Sequence, residues 1–320
     1  MPRQLFEKIY LAIDSLNYFG GNIIVEHNHN HHQHNKQSNI KIAFFLNLSF
    51  TILEIFGGLW TNSMAILSDA VHDLGDSISL GGAWYLEKYS NKEADNRFSF
   101  GYARFSLLAA LINSLILIVG SALILGRSIP RIFHPEEVNP EGMLLFAIFG
   151  IVINGMAVLR LKKGTSLNEK VVSWHLLEDV LGWGVTLIVS VILMFFDVPI
   201  LDPILSVLIT MYVLYNVMKN LKEILYILMQ GVPKNFSIGE IEKEITDKTD
   251  AIDAHQTHIW SLDGEKNLLS THVLVDDKIG YTEIIKIKNK VKELMNKKGI
   301  EHITVEIDFQ SEDHNKHSGY

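Results

Sequence analysis

Between Asn39 and Leu225 the chain is written in long apolar runs separated by short polar gaps, and nothing else in it limits the fold so strongly. A bilayer core takes roughly 20 residues of helix. Six runs meet that length, at 40–60, 63–88, 105–129, 142–161, 171–196 and 201–225. The competing reading is a large soluble protein with buried core helices. The stretch LLAALINSLILIVGSALIL (107–125) speaks against it, because a helix apolar on every side and free of charge suits lipid. The first run starts too late, and is followed by too many others, to be a cleaved leader. The chain is therefore expected to be an α-helical membrane protein with six transmembrane helices, seated in a lipid bilayer.

The whole-chain averages, 48% hydrophobic and 20% charged, mix two unlike parts. From Gly231 onward the sequence is that of an ordinary soluble domain. Period-2 runs at His255–Leu262, Leu268–Val275 and Ile303–Phe309 read as strands. Helical spacing marks Ser237–Lys248 and Thr282–Lys297, the second through Ile284, Ile287, Val291 and Leu294 with lysines on the other face. The order is α-β-β-α-β, a small sheet with helices on one face. The head differs again: EHNHNHHQHN (26–35) is polar and of low complexity, and can hold metal loosely or serve as a plain tether. The expected divisions are a flexible His-rich segment 1–38, a membrane domain 39–230, an α+β domain 231–312 and a flexible tail 313–320.

Short loops orient the spans. Lys88, Lys92, Arg97 and Arg104 lie between the second and third, and Arg160, Lys162, Lys163 and Lys170 between the fourth and fifth. The opposite loops carry Arg127 and Arg131 diluted by Glu136, Glu137, Glu141 and Asp197. Basic loops stay on the cytoplasmic side, so both termini are expected there, with the protein multi-pass in the cell membrane. A net charge of −8 argues against a nucleic-acid partner.

Two spans carry charges that lipid should repel. The second contains Asp69, His72, Asp73 and Asp76; the fifth contains His175, Glu178 and Asp179. Ionisable groups at membrane depth cost about 3 kcal/mol each, so they need a reason. At about 100° per residue, 69, 72, 73 and 76 share one helical stripe, and 175, 178, 179 and 182 share another. Each stripe contains H-x-x-x-D. Face to face, His72, Asp76, His175 and Asp179 supply two imidazoles and two carboxylates, a set that suits tetrahedral Zn²⁺. Asp69, Asp73 and Glu178 read as groups orienting those ligands or lining an aqueous path. The chain has no cysteine, which excludes thiolate chemistry, disulfides and Cys-ligated metal. Any metal is held by imidazole and carboxylate, which protons can displace.

These residues resemble the cation diffusion facilitator family of zinc/proton antiporters. The resemblance rests on NSMAILSDAVHDLGDSISL (62–80), FSFGYAR (98–104), SWHLLEDVLGW (173–183), LDPILS (201–206), HQTHIW (255–260) and HITVEID (302–308). It implies six membrane helices plus a metallochaperone-like α+β cytoplasmic domain, assembled as a homodimer. It also implies export of divalent metal in exchange for protons, with His72, Asp76, His175 and Asp179 as transport site. The two His–Asp pairs are similar to the zinc- and cadmium-exporting branch, so Zn²⁺ enters as transported substrate and as regulatory ligand, with no other cofactor. In the tail, the family's metal site falls on His255 and His272, with Glu306 as third ligand and Asp308 two residues on. His258 and His302 read as surface or packing residues. Some members bind a further metal between the second and third spans; here Asp95 remains, but the His positions hold Phe98 and Tyr102, so no metal is expected there.

Two other functions fit the residues less well. An intramembrane metallohydrolase would need an open metal position, and four protein ligands leave none; H-E-x-x-H is also absent. A metal-sensing membrane protein explains the tail but not acids within two spans.

Overall fold

The computed structural model describes residues 33–90, 92, 94–161 and 167–311; the side chains of 33–43, 83, 84, 86–90, 157, 160, 161 and 167–176 lie outside that description. Six long helices stand where the six apolar runs are: α1 (Gln33–Thr61), α2 (Met64–Ser90), α3 (Phe105–Phe133), α4 (Pro140–Leu161), α5 (Leu167–Phe195) and α6 (Leu201–Leu228). Then come α7 (Ile238–Lys248), β1 (Asp253–Ser261), β2 (Asn267–Val275), α8 (Tyr281–Lys297) and β3 (Ile300–Phe309). Within the described residues, α1, α3, α5 and α6 each hold a stretch long and apolar enough to cross a membrane. In α4 that stretch, Pro140–Met156, is shorter. In α2 the apolar run is interrupted by Asp69, Asp73 and Asp76, the residues that give the helix its interest.

The chain divides into two compact units, Met1–Glu93 with Leu108–Leu221, and Ala94–Leu107 with Lys222–Tyr320. The second unit thus takes in the loop before α3 together with the C-terminal part. The helix α1 also begins at Gln33, inside the segment 1–38 expected to be flexible. No Gly or Pro lies between Gln33 and Gly57 to stop it. The rest of the His-rich head lies outside the described residues.

In the first unit α1 packs on α2, α4 on α5, and α2 touches α5. Ala65 and Ile66 of α2, Met143 and Ala147 of α4, Trp183 and Val189 of α5 and Leu205 of α6 form a buried cluster. Gly150 of α4 lies directly against the Trp183 ring, and a Cβ there would collide with it. Phe56, Leu123, Leu145 and Leu208 point outward, as lipid-facing side chains must.

In the second unit β1 pairs antiparallel with β2, and β2 parallel with β3, in the order β1-β2-β3. Leu269, Val273 and Val275 of β2 are fully buried against Ile241 and Ile245 of α7 and Ile287, Val291 and Met295 of α8. Both helices therefore cover one face, as the alternation predicts. Lys248 and Lys298 pair with Glu244 and hold its carboxyl below the ordinary carboxylate value, tying α7 to the end of α8. The other face of the sheet stays polar around His255, His272 and Asp308.

Candidate metal centres

The membrane centre is built on α2. One helical turn apart, His72 Nε2 lies 3.7 Å from Asp76 Oδ2. His72, Asp73 and Asp76 each offer a ligand atom, all within 4.8 Å of one another. Asp73 is buried, while His72 and Asp76 are partly open. From α5, Asp179 couples electrostatically to Asp73. His175 sits one turn earlier on α5, but its side chain lies outside the described residues. Asp69 reaches the same acidic group and couples to Asp73. Glu178 turns elsewhere, toward Tyr212 of α6.

The start of α2 is held from three sides. Asp202, at the head of α6, accepts hydrogen bonds from Ser63 Oγ at 2.5 Å, Met64 N at 2.7 Å and Ala65 N at 3.2 Å. It thus caps, from another helix, amide groups that the first turn of α2 leaves free. This is what the acid in LDPILS does. Arg131 donates to the Asn62 carbonyl at 2.9 Å, and the Asn139 amide donates to the Thr61 carbonyl at 2.8 Å. Asn62 takes a left-handed φ of 55° in this turn. The helix that carries His72 and Asp76 is therefore fixed in position at its first residue.

One polar group went unread in the sequence. Glu54, on α1, is wholly buried, and its carboxyl stands against that of Asp73. Asp69 and Asp179 lie nearby. A signal existed: Glu54 is the only charged residue between Lys41 and Asp69.

The second centre lies on the open face of the sheet. His255 is paired with His272 across β1 and β2. His255 Nε2 is 3.2 Å from Asp308 Oδ2, and His272 Nδ1 is 3.0 Å from the same oxygen. These three residues bring ligand atoms within 4.8 Å. Glu306 stands instead at the opposite ring nitrogen of His272, 3.6 Å from Nε2, and is largely exposed. The carboxylate on which both imidazoles converge is thus Asp308. A bulge between His255 and His258, with Gln256 at a φ of 46°, lets both histidines pair into the same face of β2 despite their odd spacing. His258 is opposite Ser270, and His302 packs its ring edge-on to Phe100; neither joins the metal cluster.

At the loop before α3, Asp95 Oδ2 accepts a 2.8 Å hydrogen bond from the Tyr102 hydroxyl, and Asp95 Oδ1 accepts from the amides of Arg97 and Phe98. The Tyr102 phenol thus engages Asp95 at one of the two positions to which the resemblance would assign imidazole. Ala103 of this loop packs with Trp260, Leu262 and Leu268.

Comparison with known proteins agrees with this architecture. Residues 40–229 match the cation efflux transmembrane domain, and 233–310 the cation efflux protein cytoplasmic domain. The chain is 34% identical over 292 residues to a cadmium, cobalt and zinc/H(+)-K(+) antiporter of Bacillus velezensis, covering 90% of this chain and 93% of that protein. It is 32% identical over 285 residues to the metal cation efflux system protein CzcD of Cupriavidus metallidurans, covering 88% and 90%. The solved metal-bound C-terminal domain of the CzcD transporter from that organism aligns to 23% of this chain at 26% identity, with a TM-score of 0.21. With both of its parts matched in order, the chain belongs to the cation efflux, or cation diffusion facilitator, family.

Proposed function

We propose that this protein exports zinc, and cadmium with it, from the cytoplasm in exchange for protons. The transport site is His72 and Asp76 of α2 with His175 and Asp179 of α5; Asp69 and Asp73 stand beside it as non-ligands. The observation that carries the reading is the meeting of His72 with Asp76 at 3.7 Å, in a helix that touches α5 and beside acids that feel Asp179. The relatives named as cadmium, cobalt and zinc antiporters support the choice of metal. Imidazole binds metal only when neutral and carboxylate only when ionised, so protons and metal compete for one set of atoms. A site open to the cytoplasm loads metal and sheds protons. Open to a more acidic exterior, it takes protons and lets the metal go.

The protein sits in the plasma membrane with both termini in the cytoplasm, as its basic loops indicate, and forms a homodimer through the tail domain. There His255, His272 and Asp308, with Glu306 at the margin, bind regulatory Zn²⁺. Such a metal biases the dimer only through unequal affinity for its two arrangements.

The test is zinc uptake into vesicles carrying the purified protein, compared with Asp179→Ala. Uptake is expected to fall to the empty-vesicle level in the variant while its elution from a sizing column stays unchanged. Full uptake by folded Asp179→Ala would remove Asp179 from the site.

A further inference from the structure

Two seams run along the first half of α2, and only one of them is polar. Toward α4 and α5, Ala65 and Ile66 meet Met143, Ala147 and Trp183, all apolar and buried. Toward α6 and α3 the contacts are hydroxyls. Ser63 and Asp202 join the starts of α2 and α6 at 2.5 Å. Deeper, the Ser206 hydroxyl lies 2.9 Å from that of Ser128 on α3. Ser68 Oγ lies 2.7 Å from Thr210 Oγ1 and 3.5 Å from the Ser206 carbonyl, to which it donates. Each of these residues is 3% exposed or less. Ser121 stands about two turns from Ser128 on the same face of α3. It is 1% exposed, and its hydroxyl has no hydrogen-bond partner among the described residues.

The polar seam has a direction. Thr210 is about 12 Å along α6 from Asp202, and Ser68 stands one turn before His72. Beyond that level α3 and α6 meet through Leu117, Val213 and Val217, with Val71 of α2 against them. Hydroxyls also serve as glue between membrane helices. Glue, however, would continue along the whole contact, whereas these hydroxyls give way to apolar side chains at the depth of the metal site. Nor does glue account for Ser121, a buried hydroxyl left unmatched at a cost of its own. A hydroxyl that bonds its neighbour while two helices are closed bonds water equally well when they part. The apolar seam toward α4 and α5 offers water nothing. Hydroxyl, carbonyl and carboxylate oxygens can also replace the water around a divalent ion, yet they suit Zn²⁺ less well than imidazole does, so they pass it on.

We propose that the hydroxyl seam between α2, α3 and α6 is the exterior passage of the transporter, closed in this structure. Along it metal leaves His72 and Asp76, and outside water brings protons to them. This rests on the transport reading above, with its orientation, and adds to it a route. Opening separates Ser68 from Thr210 and Ser63 from Asp202, and the freed oxygens become hydrated.

The chain has no cysteine, so one introduced thiol reports on one place. Thr210→Cys and Ser68→Cys are made in the full-length protein, expressed in zinc-loaded cells, and treated from outside with a membrane-impermeant, positively charged methanethiosulfonate. Leu208→Cys, at a position on α6 that points outward to lipid, is the comparison. The seam thiols are expected to react about tenfold faster or more, because a thiol in apolar surroundings does not ionise to the reactive thiolate. Seam thiols that react no faster than Leu208→Cys overturn the proposal. So do seam thiols that react only when the reagent is admitted to the cytoplasmic side. Should either substitution prevent folding, Ser206→Cys and Ser128→Cys carry the same test with the same readings. Native protein that moves no zinc into vesicles would instead contradict the transport reading, and the thiols would still decide whether the seam opens to the outside.

Discussion

Asp308 and Glu306 stand two residues apart on the same strand, yet their surroundings give them different work. Asp308 is mostly buried and meets both imidazoles through one oxygen, whereas Glu306 is largely exposed beside a single ring nitrogen. Asp308→Ala is expected to weaken zinc binding by the tail more than about 100-fold, since even supporting residues of metal sites are worth 10–100-fold. Glu306→Ala is expected to cost no more than about tenfold. Zinc titration monitored at the two histidines checks this, and a larger effect at Glu306 would reverse the assignment. The sequence pointed to all four tail residues as candidates but could not rank them. The resemblance favoured Glu306, while the choice between carboxylates depends on how a parallel strand pair offsets its side chains, which no spacing rule reports. Glu54 escaped for another reason. The membrane acids were found as clusters at helical spacing, and a lone acid in an apolar run has no partner on its own helix to draw the eye.

At the scale of elements, periodicity and run length located the six long helices, because lipid leaves a spanning segment little choice, with α1 alone starting well before its expected first residue, at Gln33. The α-β-β-α-β order of the tail was equally readable from alternation. What holds the elements in place was not. Asp202, visible in the sequence as part of LDPILS, caps the start of α2 from a helix nearly 140 residues away in the chain. Removing it leaves the Ser63 hydroxyl and two buried amides without an acceptor. Asp202→Ala is therefore expected to lower stability by about 2 kcal/mol, read as an earlier thermal unfolding transition in detergent. Asp202→Asn, which keeps one acceptor oxygen, should recover part of it. A transition unchanged in Asp202→Ala would mean the first turn of α2 is satisfied by water. The association of residues 94–107 with the C-terminal part was also hidden, since it depends on Ala103 fitting among Trp260, Leu262 and Leu268.

For the molecule as a whole, the two parts have complementary chemistry. The membrane domain carries imidazole and carboxylate on α2 and carboxylate on α5, with a further acid on α1, all in positions where an unneutralised charge is costly. The tail repeats the same donor types on an open sheet face. With no cysteine anywhere in the chain, every metal contact it can make with such donors is one that protons contest. The account stands on that competition. It is tested most directly by zinc uptake into vesicles of purified native protein, with and without an imposed pH gradient, acid on the side to which zinc is delivered. Uptake accelerated by that gradient, and accompanied by proton movement in the opposite direction, is the predicted result. Zinc uptake at one rate whatever the gradient would contradict it.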